Sequence, residues 1–204
     1  VIIYDFFSGL EGWSKPFRAR GHQVFTLDND PRFGADEQRN LMDLTPADFP
    51  GRPDLILASP PCTKFTVMQI GTNWTREGTP KTASAAEALL LVQHTVNLIA
   101  GLGPRFWIME NPRAKLRKLY PMTQYERRTV TYCQYGEPMM KPTDLWGVFP
   151  PSLELLPSCH NGDPCHTAAP RGSRTASQGM DSALVAKIPE QLALAVCLAA
   201  ERDT

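Results

Sequence analysis

The chain predicts a doubly wound α/β fold, an open and mostly parallel sheet with helices on both faces. Three observations carry that expectation. Short apolar runs rich in β-branched and aromatic residues recur from Val1 to Glu110. Helical stretches lie between them, and glycine or proline turns close them. At 204 residues the chain has the length of one domain, enough to bury a sizeable core. A composition of 42% hydrophobic and 21% charged residues excludes collagen-like, coiled-coil and disordered chains.

Val1–Phe7 reads as a buried strand. It ends in Ser8-Gly9-Leu10-Glu11-Gly12, a glycine-punctuated turn. Trp13–Arg20 follows as a helix with Trp13 and Phe17 on one face, closed by Gly21. Gln23–Asp28 and Pro53–Ala58 are the next strands. Residues 82–101 form the strongest helical pattern, with Ser84-Ala-Ala-Glu87 as a capping box and Gly101 and Gly103 as stops. Arg105–Glu110 is a further strand and Arg128–Cys133 another. From Glu137 to Pro170 seven prolines predict sparse regular structure. A last helix starts at Pro189, a residue suited to a first helical turn, and runs to about Glu201.

Net charge is zero, from 21 basic and 21 acidic residues, but the charges segregate. Residues 1–60 carry 6 basic and 9 acidic side chains, and residues 61–120 carry 8 and 3. The stretch Arg105–Arg128 holds seven cations against Glu110 and Glu126, so a basic face can coexist with an acidic one. Five cysteines make an odd set, which speaks against a secreted disulfide framework and for a reducing cytoplasm. No basic-then-apolar leader and no uninterrupted apolar run of about 18 residues is evident, so no membrane partner is expected.

Two ends of the sheet edge carry candidate chemistry. Glycines in Ser8–Gly12 let the backbone approach a ligand, and the following helix start offers free N–H groups. Asp28, closing the second strand, is placed to accept ribose hydroxyls, and Asp43 to accept an exocyclic amine, which together suggest a nucleoside cofactor without a 2′-phosphate. At the other end, Ser59-Pro60-Pro61-Cys62 follows a strand, and two prolines present the thiol on a stiff mount. Glu110-Asn111-Pro112 closes the apolar strand Phe106–Met109, where a carboxylate needs a partner or a function. A thiol and a carboxyl on one sheet edge make a nucleophile and proton-donor pair.

These motifs, Asp5-Phe-Phe-Ser-Gly-Leu-Glu-Gly-Trp13, Asp54-Leu-Ile-Leu-Ala-Ser-Pro-Pro-Cys62 and Trp107-Ile-Met-Glu-Asn-Pro112, resemble in order and spacing the DNA (cytosine-5) methyltransferases, especially the small bacteriophage and bacterial types. The resemblance runs from Asp5 to about Gly147 and resumes at Ile188-Pro189. It implies the S-adenosylmethionine-dependent methyltransferase variant of the doubly wound sheet. Phe7, Ser8, Gly9, Leu10, Gly12, Asp28, Asn29 and Asp43 would line the cofactor site, with Pro60 beside it. Cys62, as thiolate, would add to C6 of a flipped-out cytosine, and Glu110 would hold N3 and the 4-amino group. S-Adenosylmethionine would be the methyl donor and S-adenosylhomocysteine the product. The implied partner is DNA, duplex and with a short site, for a monomer in a bacterial or phage-infected cell.

The chain departs from the family pattern in particular residues. Thr63 follows Cys62 where many members have glutamine, and Pro112 follows Glu-Asn where valine is usual. Lys141 and Thr143, after Tyr135-Gly-Glu-Pro138, stand where two arginines are normally found, so contact to the cytosine O2 would fall to Lys141 or to Thr143. The layout expected is a catalytic core over 1–143, a short target-recognition segment over 144–187 and a closing helix over 188–204. So short a segment implies a short recognition site or weak specificity. Arg171 and Arg174, with Thr175 and Gln178, are its candidate DNA contacts, and Arg113, Lys115, Arg117 and Lys118 would lie beside the pocket.

Cys159-His160 and Cys165-His166 offer four soft ligands, but their spacing is not that of a zinc ribbon and Asn161-Gly-Asp-Pro164 turns the chain unaided, so no metal is assigned. Cys133 and Cys197 read as core residues. Two alternatives stand beside cytosine-5 transfer: an amino-methyltransferase acting on cytosine N4 or adenine N6, and a catalytically idle DNA-binding or antirestriction protein. RNA is a further possible substrate.

Overall fold

The computed structural model describes residues 1–167 and 185–204. Arg171, Arg174, Thr175 and Gln178 lie outside the described residues. Six strands form one sheet: β1 (Ile2–Phe6), β2 (Gln23–Leu27), β3 (Leu55–Ala58), β4 (Phe106–Pro112), β5 (Arg127–Thr131) and β6 (Pro142–Val148). Their spatial order is β2-β1-β3-β4-β6-β5. The first four pair parallel, while β6 runs antiparallel to both β4 and β5. The helices are α1 (Ser14–Ala19), the single turn α2 (Ile70–Asn73), α3 (Ala83–Leu102) and α4 (Glu190–Asp203).

Strand alternation sends successive side chains to opposite faces. Tyr4, Phe6, Ile56, Ala58, Trp107, Met109 and Trp146 pack on one side with Val92, Val96, Leu98, Ile99 and Leu102 of α3. Ile3, Leu55, Leu57, Ile108 and Leu145 pack on the other with Trp13 and Phe17 near α1 and Leu192, Val196 and Cys197 of α4. The predicted two-faced arrangement is thus present. α3, 20 residues long with mean hydropathy 1.4, meets the length and composition of a bilayer span, more apolar than the uninterrupted-run criterion suggested. Its apolar side is packed against the sheet.

Several expectations need correction. The cap of α3 is Thr82, whose hydroxyl accepts from Ala85 N at 3.2 Å, and not Ser84, which already lies in the first turn. Thr82 takes the extended backbone of a cap, with its hydroxyl donating to Asn73 Oδ1. Gly101 lies inside the helix, where an added Cβ would come 2.6 Å from Pro46 Cγ, and only Gly103, left-handed at φ 60°, ends it. β4 runs past Glu110 to Pro112 because its last residues pair with β6. β6 itself was hidden. Pro142, Asp144 and Gly147 are poor strand formers, yet the segment occupies the interior of the sheet. The Arg117 guanidinium neutralises buried Asp144 by donating to both carboxylate oxygens, at 2.9 and 2.6 Å. β6, Pro142–Val148, spans the point between Thr143 and Asp144.

Candidate active site

Because β1, β2, β3 and β4 are parallel, their carboxyl ends share one edge, the edge where open α/β sheets bind ligands. The Phe7–Gly12 turn, Asp28, the Ser59–Cys62 loop and Glu110-Asn111-Pro112 all emerge there.

The turn after β1 departs from ordinary backbone conformation. Phe7 has φ 60° and Gly9 φ 49°, and a bulky residue in the left-handed region is uncommon outside functional sites. Asp28 Oδ2 accepts from Gly9 N at 2.9 Å and its Oδ1 from Asp30 N at 2.9 Å. This carboxylate therefore braces the glycine turn, and each oxygen retains a second lone pair for a ligand. Ser8 Oγ is buried without a protein partner among the described residues, as is Asp5 Oδ1. Orphaned polar atoms in a glycine turn fit a polar group seated on it. Leu10 and Asn29 are exposed beside the turn. Asp43 is exposed on a 3₁₀ turn. At Gly12, a further residue expected to line the cofactor site, an added Cβ would meet Ile188 N at 2.8 Å, so the missing side chain lets the segment before α4 cross it.

Trp13 Nε1 donates to Ser59 Oγ at 3.1 Å, and Asn111 Nδ2 donates to Pro60 O at 2.9 Å. These two bonds tie the turn, the Pro-Pro-Cys loop and the Glu-Asn-Pro strand end together. Pro60 is buried, whereas Cys62 is only partly so.

Around it the structure gathers Glu110, Lys141 and Tyr132. Glu110 is 5% exposed and accepts from Tyr132 Oη at 3.0 Å. Lys141 Nζ lies 3.8 Å from Glu110 Oε1 and 4.2 Å from the centre of the Tyr132 ring, and it donates to Val185 O at 2.9 Å. Burial pushes the Glu110 carboxyl up, against the pull of Lys141 and the Tyr132 hydroxyl. Burial also pushes the Cys62 thiol up, Glu110 pushes it further, and Lys141 opposes both. Burial therefore favours the neutral form of each group, and the neutral form of Glu110 is a carboxylic acid able both to donate and to accept a hydrogen bond.

Thr143 is fully buried and its hydroxyl donates to Lys141 O at 3.3 Å. It supports Lys141 and offers no surface of its own to a ligand, so of the two residues expected at a cytosine O2 only Lys141 brings a charged group to the site. Tyr132 was missed in the sequence. It sits in a 3₁₀ turn after β5, where it reads as a core aromatic, and only the sheet order brings it to Glu110.

Beside the Cys62 loop opens a cavity of about 480 Å³ lined by Trp74, Arg76, Arg113, Lys115, Arg117 and Lys118. Lys115 N donates to Phe65 O at 3.0 Å, which joins this basic segment to the turn after Cys62. The cations are not equivalent. Lys115 is buried with Nζ on Thr75 O at 3.0 Å, and Arg117 is paired with Asp144. Lys115 therefore serves the fold more than an incoming anion. Arg76, Arg113 and Lys118 form no ion pair among the described residues, and Arg113 and Lys118 are exposed. Arg76 had no signal in the sequence.

Comparison with known proteins places this geometry in context. No protein-family model matches the chain. It is 31% identical over 171 residues to a Frog virus 3 (isolate Goorha) protein named "Probable DNA (cytosine-5)-methyltransferase", covering 78% of each. It is 30% identical over 127 residues to the type II methyltransferase M.AplI of Arthrospira platensis, 58% of this chain but 33% of that one. Among solved structures it resembles a candidate DNA modification methyltransferase encoded within an E. coli prophage, with TM-score 0.54 and 18% identity over 72% of this chain and 46% of the other. The S. pombe Dnmt2 methyltransferase matches with TM-score 0.51 and 15% identity, over 72% and 50%. At such identities the last two likenesses speak for the fold alone.

Proposed function

This chain belongs to the DNA (cytosine-5)-methyltransferase family, and from that membership we propose that it transfers a methyl group from S-adenosylmethionine to C5 of a cytosine in duplex DNA, through a transient bond between Cys62 and C6. The observation that carries this reading is the grouping of a half-buried cysteine with a buried carboxyl at one sheet edge, with Lys141 acting electrostatically on both.

Bound S-adenosylmethionine would supply an electrophilic methyl group held on sulfonium. Phe7, Ser8, Gly9 and Asp28 would hold it, with the unpartnered Ser8 hydroxyl free to bond its polar groups. The remaining chemistry belongs to the chain. Cys62 would give its proton to solvent water and its sulfur would add to C6, which moves electron density toward C5 and N3. Glu110, whose neutral form is favoured by burial, would donate to N3 and accept from the 4-amino group, so the developing charge would be met by a hydrogen bond already in place. Tyr132 fixes the rotamer of that carboxyl through the bond to Oε1. Lys141 favours the thiolate and would be the cation to meet the cytosine O2. After transfer, loss of the C5 proton to a base returns the electron pair that expels the thiolate.

The target base must leave the helix to reach this edge, which costs a few kcal/mol. Arg113, Lys118 and Arg76 would hold phosphates beside the vacated position. An amino-methyltransferase would carry an aromatic residue to stack on the base where Cys62 stands.

The direct test incubates the purified chain with methyl-labelled S-adenosylmethionine and duplex DNA, followed by nucleoside digestion. The expected product is 5-methyl-2′-deoxycytidine, and bisulfite sequencing of the same DNA reads the site. Label in N4-methylcytosine or N6-methyladenine, or no transfer to duplex DNA, contradicts the proposal.

A further inference from the structure

Away from Cys62, a second group of soft ligand atoms converges. Sγ of Cys133, Cys159 and Cys165 and a ring nitrogen of His166 lie within 4.8 Å of one another. Cys133 sits in the 3₁₀ turn Tyr132–Tyr135 that follows β5, and the other three come from the proline-rich stretch after β6. Cys133 Sγ is 3.1 Å from Cys159 Sγ and 3.6 Å from Cys165 Sγ. His166 Nδ1 is 3.5 Å from Cys165 Sγ and 3.8 Å from Cys159 Sγ.

We propose that Cys133, Cys159, Cys165 and His166 bind one Zn²⁺ as a structural site. A tetrahedral zinc with three thiolates and one imidazole has ligand–ligand edges of about 3.8 Å between sulfurs and about 3.6 Å from sulfur to nitrogen. Three of the separations given, at 3.5 to 3.8 Å, already stand near those values, and an ion entering the group would spread Cys133 and Cys159 by about 0.7 Å from their 3.1 Å. Three sulfurs and an imidazole select zinc over hard cations such as Mg²⁺ or Ca²⁺. All four positions come from the protein, which marks a closed site and not a catalytic one with an open position. Outer contacts support the ligands. Gln134 Nε2 donates to Cys165 Sγ at 3.3 Å, and Thr131 Oγ1 accepts from Cys159 N at 3.0 Å. Each thiol gives its proton to solvent as it binds.

A disulfide explains the group less well. The 3.1 Å between Cys133 and Cys159 is well beyond a bond of about 2.05 Å, and a pair would leave the third sulfur and the imidazole unaccounted for. The arrangement also departs from the pairing the sequence suggested. His160 points away, its side chain 91% exposed, and Cys133, distant in sequence, takes its place.

The site has a structural consequence. Residues 149–167 form little regular structure, and besides this cluster they are tied down by Leu156 N donating to Tyr135 Oη, Cys159 N to Thr131 Oγ1, Ser158 Oγ to Thr129 O and Thr167 N to Pro138 O. Zinc therefore fastens the 157–167 stretch to the turn that holds Tyr132, the partner of Glu110.

The test is metal content of the full chain, produced in zinc-supplemented medium and purified untagged under reducing conditions. Elemental analysis is expected to find about one zinc per chain. Replacement by Co²⁺ is expected to give the strong visible bands of tetrahedral cobalt with thiolate charge transfer in the near ultraviolet. Cys133→Ser and His166→Ala are expected to lose zinc to a chelator at least tenfold more readily, whereas His160→Ala keeps it. A zinc-free chain whose cobalt spectrum is pale and lacks charge transfer overturns the site, as does zinc retained by both ligand variants. Should a variant fail to fold, the stoichiometry and cobalt spectrum of the unaltered chain decide the matter. None of these readouts depends on methyl transfer.

Discussion

Cys62 stands between opposing influences, and each can be removed singly. Burial and the Glu110 carboxyl raise its pKa above the ordinary thiol value, and the Lys141 ammonium lowers it. The rate of Cys62 alkylation, followed by peptide mass spectrometry against pH, is therefore expected to have its midpoint on the alkaline side. Glu110→Gln should move that midpoint to lower pH and Lys141→Met to higher pH. Identical profiles in all three proteins would remove Glu110 and Lys141 from the thiol's surroundings. Tyr132→Phe keeps the ring on which Lys141 rests and removes only the hydroxyl donor. Its loss is expected to cost about 1.5–3 kcal/mol of transition-state support, roughly 10- to 100-fold in kcat/KM, with cofactor affinity unchanged. Cys62 and Glu110 drew attention in the sequence because one follows a Pro-Pro step after a strand and the other interrupts an apolar run at the ligand-binding edge. Tyr132 was not legible, because its value depends on β5 and β6 lying beside β4, which no local pattern encodes. The same holds for Cys133, an ordinary core cysteine until the fold sets it beside Cys159 and Cys165.

At the level of elements, local signals worked where tertiary context agreed with them. β1 and β3 are short apolar runs buried on both faces for nearly their whole length, β2 is a half-buried edge strand, and α3 has a cap, a long apolar stretch and a glycine stop. The cap was misplaced by two residues because Ser84 and Glu87 mimic the pattern that Thr82 fulfils. Thr82→Ala should cost about 1 kcal/mol, a fall in Tm of about 2–4 °C. Ser84→Ala should change little. β6 was illegible for the opposite reason: context overrides propensity at every awkward residue. Gly147 has φ 149°, and an added Cβ would lie 1.9 Å from Trp107 O. Gly147→Ala should then force β6 and β4 apart and destabilise the protein by at least about 3 kcal/mol, read by urea unfolding. A variant as stable as the parent would show that the two strands pack less closely than described.

Over the whole molecule, the same sheet edge that gathers the site also buries charge. Asp5, fully buried beside Ser14 Oγ, has its pKa pushed up by desolvation to about 7. The sign of the resulting pH dependence follows from linkage. Below about pH 4 Asp5 is protonated folded or unfolded, and its contribution to stability is fully present. As pH rises the unfolded chain releases the proton first, and the contribution fades up to about pH 7. Carboxylates held low, such as Glu201 at about 2 through its bond to Arg20, act in the opposite sense and at lower pH. Comparing Tm of the parent and Asp5→Asn from pH 4 to 8 isolates the buried group: the variant should gain on the parent as pH rises, and a constant difference would place Asp5 in water. Charge segregation along the chain is likewise a property of the whole. It drew attention to the basic stretch 105–128, but only the fold separates Arg113 and Lys118 at the cavity from Arg117, bound to Asp144, and Lys115, bound to Thr75.

The central claim is a covalent bond between Cys62 and a cytosine, and trapping tests it most directly. Duplex DNA carrying 5-fluorocytosine at every cytosine, incubated with the protein and S-adenosylmethionine, cannot release the thiol because the fluorine cannot leave as a proton does. Intact-mass analysis should find one chain joined to one oligonucleotide plus a methyl group, with the linked peptide containing Cys62, and Cys62→Ser should bind cofactor but form no adduct. Ordinary methyl transfer that continues in Cys62→Ser protein, or a linkage mapped to any other residue, would contradict the account.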